Sequence, residues 1–160
     1  DHEMHTEKIV AEIDTLKHIR SKLNHPVIPV GTTSMRTLES LYWMAVKLNN
    51  GDDEFFVDQW DPYELIVKPD FNCTKAMSLL ISYLEEKKLS ELNGETQLMI
   101  APGYSFKIAS GLITNFHQPK STLLLLVSAL VGDSWKQVYN FALQNDFRFL
   151  SYGDSCLFLP

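Results

Sequence analysis

Cysteine is scarce in this 160-residue sequence, with only Cys73 and Cys156. Their positions match neither a metal-ligand spacing nor a disulfide framework, so we expect two reduced, unpaired thiols in a reducing, cytoplasmic compartment. Basic charge is also in deficit, with 14 Lys and Arg against 20 Asp and Glu and a net charge of -6. A free-standing nucleic-acid binder normally carries a basic face, so that class is disfavoured. An enzyme that meets nucleic acid through a local basic strip or through another domain remains compatible with this balance.

Long apolar runs are missing as well. The longest, at 123–131, is broken by Ser128 and is far too short to span a bilayer. No charged-then-apolar leader opens the chain, so we expect neither a secretory signal nor membrane association. Residue 1 is Asp1, and a motif-like cluster follows at once, so we expect the N-terminal portion of a longer protein to be absent.

The composition that is present fits one ordinary domain. Hydrophobic residues make up 45% of the chain and charged residues 21%, a balance typical of globular proteins with a core that needs no disulfide or structural metal. We therefore expect a single domain over 1–160. The stretch 68–95 is the most polar and is a candidate insertion.

Apolar periodicity and turn residues predict an α/β fold with a mixed sheet flanked by helices, a three-layer α/β/α arrangement. Thr6 is the expected cap of the first helix. The predicted helices cover 6–23, 35–48, 74–89, 122–131 and 134–144. The predicted strands cover 27–30, 54–57, 63–67, 97–100, 104–109, 112–115, 147–151 and 156–159, with a hairpin at 110–111.

Polar side chains concentrate in four segments at the ends of these elements, where functional groups are usually presented. The segment 2–7 holds two histidines and two carboxylates. It favours either metal ligation or a solvated helix entry capped by Thr6, and its spacing matches no strong zinc signature.

The segment 31–40 is a strand–turn–helix junction that starts with a glycine and three hydroxyl residues at 31–34. Free backbone N–H groups at such a helix start can bind an anion. Arg36 and Glu39 stand three residues apart, so they can form an ion pair on one helix face. The alternative is a capped helix with a surface salt bridge.

The segment 111–121 follows a strand and precedes an apolar helix, the place where α/β sheets bind ligands. His117 within it is suited to acid–base work near neutral pH, although a lone histidine is more often structural. The segment 147–154 contains aromatic residues that we expect in the core, and it ends in a turn at 152–154. Because 31–34 and 114–117 both follow predicted strands, we expect them to lie side by side and form one pocket.

These segments read, in order, His-x-Met-His-x-Glu at 2–7, Gly-Thr-Thr-Ser-x-Arg-Thr-Leu-Glu-Ser at 31–40, Thr-Asn-Phe-His-x-Pro-Lys-Ser-Thr-Leu-Leu at 114–124 and Arg-Phe-x-Ser-Tyr-Gly-Asp at 148–154. In that order they resemble the C-terminal signatures of the S-adenosylmethionine:tRNA ribosyltransferase-isomerase family of queuosine biosynthesis. Pro102-Gly103-Tyr104-x-Phe106 also resembles the strand that leads into the third signature. Gln118, Asp146 and Cys156 depart from the family pattern, and the stretch 49–96 is longer than expected. The small β-barrel domain of the family is absent from this sequence.

The resemblance implies transfer and isomerisation of the ribosyl unit of S-adenosylmethionine onto 7-aminomethyl-7-deazaguanine in tRNA. Epoxyqueuosine forms, adenine and methionine leave, and no metal is implied. The resemblance and the chemistry together nominate His117, His5 and Glu7 as catalytic residues. The residues nominated for substrate binding are His2, Met4, Gly31, Thr32, Thr33, Ser34, Arg36, Glu39, Thr114, Asn115, Phe116, Lys120, Ser121, Tyr152 and Asp154.

Two other classes of function remain open from the sequence. One is a diverged paralogue that uses S-adenosylmethionine on another substrate, and the other is a non-catalytic tRNA-binding domain. The partners expected are S-adenosylmethionine and tRNA carrying 7-aminomethyl-7-deazaguanine, with a monomer favoured. We expect the 160 residues to fold but not to catalyse alone, since the missing portion should contribute to the tRNA surface and to the pocket.

Overall fold

A computed structural model describes residues 4–160 of the chain. Its elements in chain order are β1 (Glu7–Glu12), α1 (Ile13–Lys22), α2 (Thr32–Asn49), β2 (Phe56–Val57), α3 (Asp61–Glu64), α4 (Cys73–Lys87), β3 (Glu91–Thr96), β4 (Leu112–Asn115), α5 (Thr122–Val131), α6 (Ser134–Gln144), a 3-10 turn (Leu150–Tyr152) and β5 (Ser155–Phe158). The α/β class and the mixed sheet are confirmed.

The strands form two hydrogen-bonded groups rather than one. In the first, β3 lies between β1, which is antiparallel to it, and β2, which is parallel to it. In the second, β4 pairs with β5 in antiparallel fashion. Val30 adds a single parallel bridge to Ile113 of β4. The chain before α2 therefore lies beside the strand that carries the third sequence segment.

Helix α2 is the central element of the core. It contacts β2 and β3 of the first sheet, β4 of the second and the neighbouring helix α4. Its middle turns are buried on every side, which an amphipathic surface helix would not be. Fully buried side chains from several elements meet around it, among them Met35, Met44, Leu80, Leu92, Leu98 and Leu112.

The first predicted helix is wrong in its first half. The chain forms β1 before α1 begins at Ile13, and Thr6 caps no helix. Ile9 and Ala11 are buried while Val10 is exposed, which is the two-residue period of a strand. Pairing with β3 decides the outcome, since the sequence contains apolar spacings that suit both structures.

Four predicted strands are also wrong, and the one predicted at 27–30 is reduced to the single bridge at Val30. The span 63–67 is not a strand, because α3 covers Asp61–Glu64 with Pro62 in its first turn. The span 104–109 forms a loop, so the predicted hairpin does not exist and β4 pairs with β5 instead. The span 147–151 runs into the 3-10 turn. The span 97–100 is not a strand either, because β3 covers Glu91–Thr96 and ends before it.

The remaining helices were predicted well, because their ends carry clear signals. Asn72 accepts a hydrogen bond from the N–H of Lys75 at the start of α4, and Ser121 accepts one from Leu124 at the start of α5. Helix α5 ends at Gly132 as expected. The stretch 68–95 supplies α4 and most of β3, and its status as an insertion stays a prediction.

Neither a membrane-spanning helix nor a disulfide bond is present in residues 4–160. In that part of the chain, no helix is both long and apolar enough to cross a membrane. Cys73 and Cys156 are both free thiols, as predicted. The thiol of Cys73 donates to the carbonyl of Lys107, and burial raises its pKa.

Candidate functional site

The first and second segments meet through a buried ion pair. Nη1 of Arg36 donates to Oε1 of Glu7 over 2.8 Å. Arg36 stands in the second turn of α2 and Glu7 is the first residue of β1, so the contact joins a helix to a strand. Burial lowers the pKa of Arg36, and the neighbouring Glu7 carboxylate partly opposes that shift. The pair predicted within α2, between Arg36 and Glu39, is wrong, because Arg36 pairs with Glu7 instead.

Glu39 is hydrogen-bonded to the loop 104–109. Its carboxylate is fully buried and accepts four hydrogen bonds, from the Tyr104 hydroxyl at 2.7 Å and from three successive backbone N–H groups at 107–109. Trp43 extends the network by donating to the Tyr104 oxygen. Burial, followed by the neighbouring Glu39 carboxylate, raises the pKa of Tyr104 far above its usual value. These contacts hold the loop against α2 directly before β4 begins.

The start of α2 lies against β4. The N–H of Gly31 donates to the carbonyl of Ile113 over 2.7 Å, and the N–H of Ile113 donates to the carbonyl of Pro29. Gly31 has φ 91°, a conformation that favours glycine, and no side chain caps the helix behind it. Thr33 and Ser34 are exposed and Thr32 is half-buried. The predicted side-by-side placement of 31–34 and 114–117 is confirmed, and the shared pocket stays a prediction.

The third segment turns inward after β4. Oγ1 of Thr114 and Nε2 of His117 lie 2.9 Å apart, and the N–H of His117 donates to the hydroxyl oxygen of Tyr139 on α6. Both Thr114 and His117 are buried. Burial lowers the pKa of His117, so its imidazole is neutral at pH 7. A neutral imidazole can accept a proton on one nitrogen while the other donates a hydrogen bond.

Aromatic packing and a helix cap hold the rest of this segment. The ring of Phe116 packs against those of Tyr139, Phe147 and Phe149, with centroids 5.4–5.6 Å apart. Phe116 is therefore a core residue in this structure. Lys120 is exposed with φ 62°, and Ser121 is committed to capping α5.

The fourth segment folds back onto the third. The side chain of Asn115 donates to the carbonyl of Asp154 over 2.9 Å, and Leu150 donates its N–H to the carbonyl of Phe116. The Asp154 carboxylate accepts from the backbone and the guanidinium of Arg148. These hydrogen bonds lower the pKa of Asp154. Tyr152 is 72% exposed, so its ring is available at the surface beside this turn.

The first segment is described only in part, because His2 lies outside the described residues. His5 is exposed, and Met4 is half-buried with its N–H donating to the side chain of Gln59. Thr6 accepts from Gln97 rather than capping a helix. Residues 4–160 contain no group of three or more His, Cys, Asp or Glu side chains arranged to hold a metal ion. The absence of a metal from the function stays a prediction.

The four segments therefore form a connected chain of contacts. Glu7 meets α2 at Arg36, the start of α2 meets β4 at Ile113, and the end of β4 meets the last segment at Asp154. Sequence reasoning missed Tyr139 and Arg148, which support this arrangement. Tyr139 sits in a helix whose apolar pattern gives no sign of its contact with His117, whereas Arg148 belongs to a quoted motif and only its role was overlooked.

Comparison with known proteins accounts for this set of segments. A sequence profile of the family described as queuosine biosynthesis protein matches residues 1–158. The chain belongs to that family. An S-adenosylmethionine:tRNA ribosyltransferase-isomerase of Halothermothrix orenii is 35% identical over 162 residues, covering 99% of this chain and 36% of the relative. The enzyme of the same name from Ruegeria pomeroyi is 48% identical over 88 residues, covering 54% of this chain and 25% of the relative.

A solved structure of the family shares the fold. The crystal structure of an S-adenosylmethionine tRNA ribosyltransferase from Thermotoga maritima superposes with a TM-score of 0.62 at 28% identity, covering 95% of this chain and 40% of that chain. This chain therefore matches the family in both sequence and three-dimensional structure. The matched region spans 36% of the length of the first of these two relatives and 25% of the second.

Proposed function

We propose that this chain forms part of the active site of an S-adenosylmethionine:tRNA ribosyltransferase-isomerase. The reaction transfers and isomerises the ribosyl unit of S-adenosylmethionine onto the aminomethyl group of 7-aminomethyl-7-deazaguanine in tRNA. It gives epoxyqueuosine and releases adenine and methionine. S-adenosylmethionine is a co-substrate in this proposal, the modified tRNA is the partner, and the setting is the cytoplasm.

One observation carries the proposal. The four segments that resemble the family signatures are spread over residues 2–154, yet their described parts are linked in space by hydrogen bonds and an ion pair. Gly31 and the Arg36–Glu7 ion pair lie along this line of contacts, and Thr114, on the strand that the line crosses, contacts His117. A relative whose alignment covers 99% of this chain carries the enzyme name.

His117 is the proposed acid–base residue. The reaction requires removal of a proton next to the sulfonium and delivery of a proton to departing adenine. A buried histidine with a lowered pKa is neutral at pH 7, which suits it to accept the first of these protons. Thr114 orients the imidazole through the 2.9 Å contact to Nε2. His5 is exposed and is the second candidate for proton transfer.

The remaining nominated residues divide by what their side chains do in the protein. Thr32, Thr33, Ser34, Lys120, Tyr152 and Met4 are exposed or half-buried and are proposed to meet substrate. Glu39 uses both carboxylate oxygens within the protein, so we propose that it positions the loop 104–109 rather than contacting substrate. Phe116 and Ser121 have equivalent supporting roles.

The test is adenine release from S-adenosylmethionine by the full-length protein, with and without tRNA bearing the aminomethyl base. Release that depends on this tRNA is the expected result. Release without tRNA would favour a paralogue acting on another substrate, and no release would favour a non-catalytic tRNA-binding domain. His117→Gln should lower the rate strongly. His25→Gln is the matched control, because His25 is exposed in the turn after α1.

A further inference from the structure

The ion pair between Arg36 and Glu7 leaves three buried polar atoms unsatisfied. Arg36 Nη1 is bonded to Glu7 Oε1, whereas Arg36 Nε, Arg36 Nη2 and Glu7 Oε2 have no hydrogen-bond partner within residues 4–160. Arg36 is only 5% exposed, so bulk water does not solvate its guanidinium. Buried charged donors and acceptors in native proteins nearly always have partners, and the exceptions call for an explanation.

The three atoms have a definite chemical complement. Nε and Nη2 lie on the same edge of the rigid guanidinium and form a fork that fits a carboxylate with two parallel hydrogen bonds. Glu7 Oε2 is an anionic acceptor that suits an ammonium group. The ion pair therefore offers both a fork of donors and an anionic acceptor, the two kinds of group that would recognise the carboxylate and the ammonium of an α-amino acid. A phosphate fits less well, because the free Glu7 oxygen would repel it.

We propose that Arg36 and Glu7 bind the amino-acid head group of S-adenosylmethionine. Arg36 Nε and Nη2 donate to its α-carboxylate, and Glu7 Oε2 accepts from its α-ammonium. The identity of the ligand rests on the proposed function, whereas the fit to an amino-acid head group rests on the geometry. In this assignment Glu7 binds substrate and does not transfer a proton.

The site borders solvent on one side. The Glu7 side chain is 31% exposed and the Arg36 side chain 6%, so the pair approaches solvent on the Glu7 side, while the three unpaired atoms themselves are covered. Glu7 begins β1, and the residues before it carry the rest of the first signature. Arg36 lies one turn beyond Thr32 and Thr33, so the head group would sit close to the start of α2 and the resembled signature there.

The experiment measures binding to the full-length protein by titration calorimetry, with S-adenosylmethionine and its decarboxylated analogue as probes. The wild-type protein should bind S-adenosylmethionine about 10- to 100-fold more tightly, because a charge-assisted hydrogen-bonded fork is lost with the carboxylate. Arg36→Lys keeps the positive charge but lacks the fork, so the ratio of the two affinities should fall close to one. Arg20→Lys is the control, since Arg20 is exposed on α1 and should leave the ratio unchanged.

A second variant covers the case in which Arg36→Lys does not fold. Glu7→Gln should remove the preference for S-adenosylmethionine over its deaminated analogue, whereas Glu85→Gln, at an exposed ion pair on α4, should not. Free methionine tests the head group without adenosine. It should compete with S-adenosylmethionine in the wild-type protein and lose that ability in Arg36→Lys.

The outcomes separate this proposal from the proposed function. Equal weakening of both ligands by Arg36→Lys, with the wild-type ratio intact, would mean that the pair is structural and hydrated, and the inference would fall even if turnover is normal. A second outcome is that the variants lose the preference for S-adenosylmethionine over its analogues, but the wild type shows no tRNA-dependent adenine release. That outcome would support this binding site and contradict the proposed reaction. No binding of S-adenosylmethionine to the wild type would overturn both.

Discussion

The hydroxyl of Thr114 lies 2.9 Å from Nε2 of His117, and both side chains are buried. Thr114 belongs to β4, so the orientation of the imidazole is set by a strand rather than by a free loop. The backbone of His117 is held independently by the hydroxyl of Tyr139 on α6. Two separate elements therefore fix this histidine, as the proton-transfer role proposed for it would require.

Protonation of His117 should destabilise the fold. Burial places its pKa below the ordinary value of 6.5, so the unfolded chain binds this proton more readily than the folded chain does. Stability is then highest above pH 6.5 and falls as the pH drops through the folded pKa. Urea unfolding between pH 5 and 8 should show a smaller acid loss in His117→Gln than in the wild type. Equal losses in both proteins would contradict the burial argument.

Glu39→Gln should loosen the loop 104–109. The NH2 group of the new glutamine would point at backbone N–H groups, which are also donors, so these groups could not form hydrogen bonds with it. Each buried polar group left unpaired costs about 1–3 kcal/mol. Hydrogen exchange in the full-length protein should accelerate at the amides of 107–109. Tyr104→Phe removes one of the four donors to Glu39 and should have a smaller effect at the same amides. Unchanged exchange in Glu39→Gln would refute the role assigned to this carboxylate.

Gly111→Ala should separate β5 from β4. A Cβ at Gly111 would lie 2.8 Å from the side chain of Leu159 and 2.9 Å from the carbonyl of Phe158. Such overpacking costs about 1–3 kcal/mol. Amide exchange at 112–115 should increase, and Leu159→Ala in the same chain should restore only part of the protection, because the carbonyl contact remains. Ser110→Ala is the control, and full protection in Gly111→Ala would show that the strands adjust freely.

The 160-residue chain should fold without catalysing the reaction alone. Its core is continuous from Ile9 to Phe158, which supports a cooperative melt. The matched region is only 36% of the Halothermothrix orenii relative, and the acidic charge of this part weakens phosphate contacts that normally supply affinity for tRNA. Circular dichroism melting tests whether the chain folds, and an epoxyqueuosine assay tests whether it catalyses the reaction, with full-length protein as the reference in both. Turnover by the short chain equal to that of the reference would disprove the claim.

The helices with marked ends were predictable from sequence, and the strands were mostly not. Asn72, Ser121 and Gly132 are local signals that act within a few residues of the elements they bound. β1 has no such signal. Its identity depends on pairing with β3, where Glu7 faces Thr96 across the sheet, and the apolar spacing around Ile9 and Ile13 suits a helix equally well.

The sequence motifs nominate the segments of the candidate site, but they do not predict the contacts between them. The pattern around Arg36 and Glu39 indicates a local ion pair, whereas the fold gives each residue a distant partner, Glu7 in one case and the loop 104–109 in the other. Spacing along one helix cannot reveal partners that approach from other elements. The same limit explains why Tyr139 was missed.

The pairing of β4 with β5 has a consequence for the order of events during synthesis. Leu112 pairs with Phe158 and Asn115 with Ser155, so the strand that leads into His117 cannot pair with β5 until residues 155–158 have been synthesised. Until they emerge from the ribosome, β4 has only the single bridge to Val30. The first sheet, which closes with Thr96, can assemble well before that. A nascent chain would therefore carry a formed Arg36–Glu7 pair while His117 still lacks the support that β5 gives to β4.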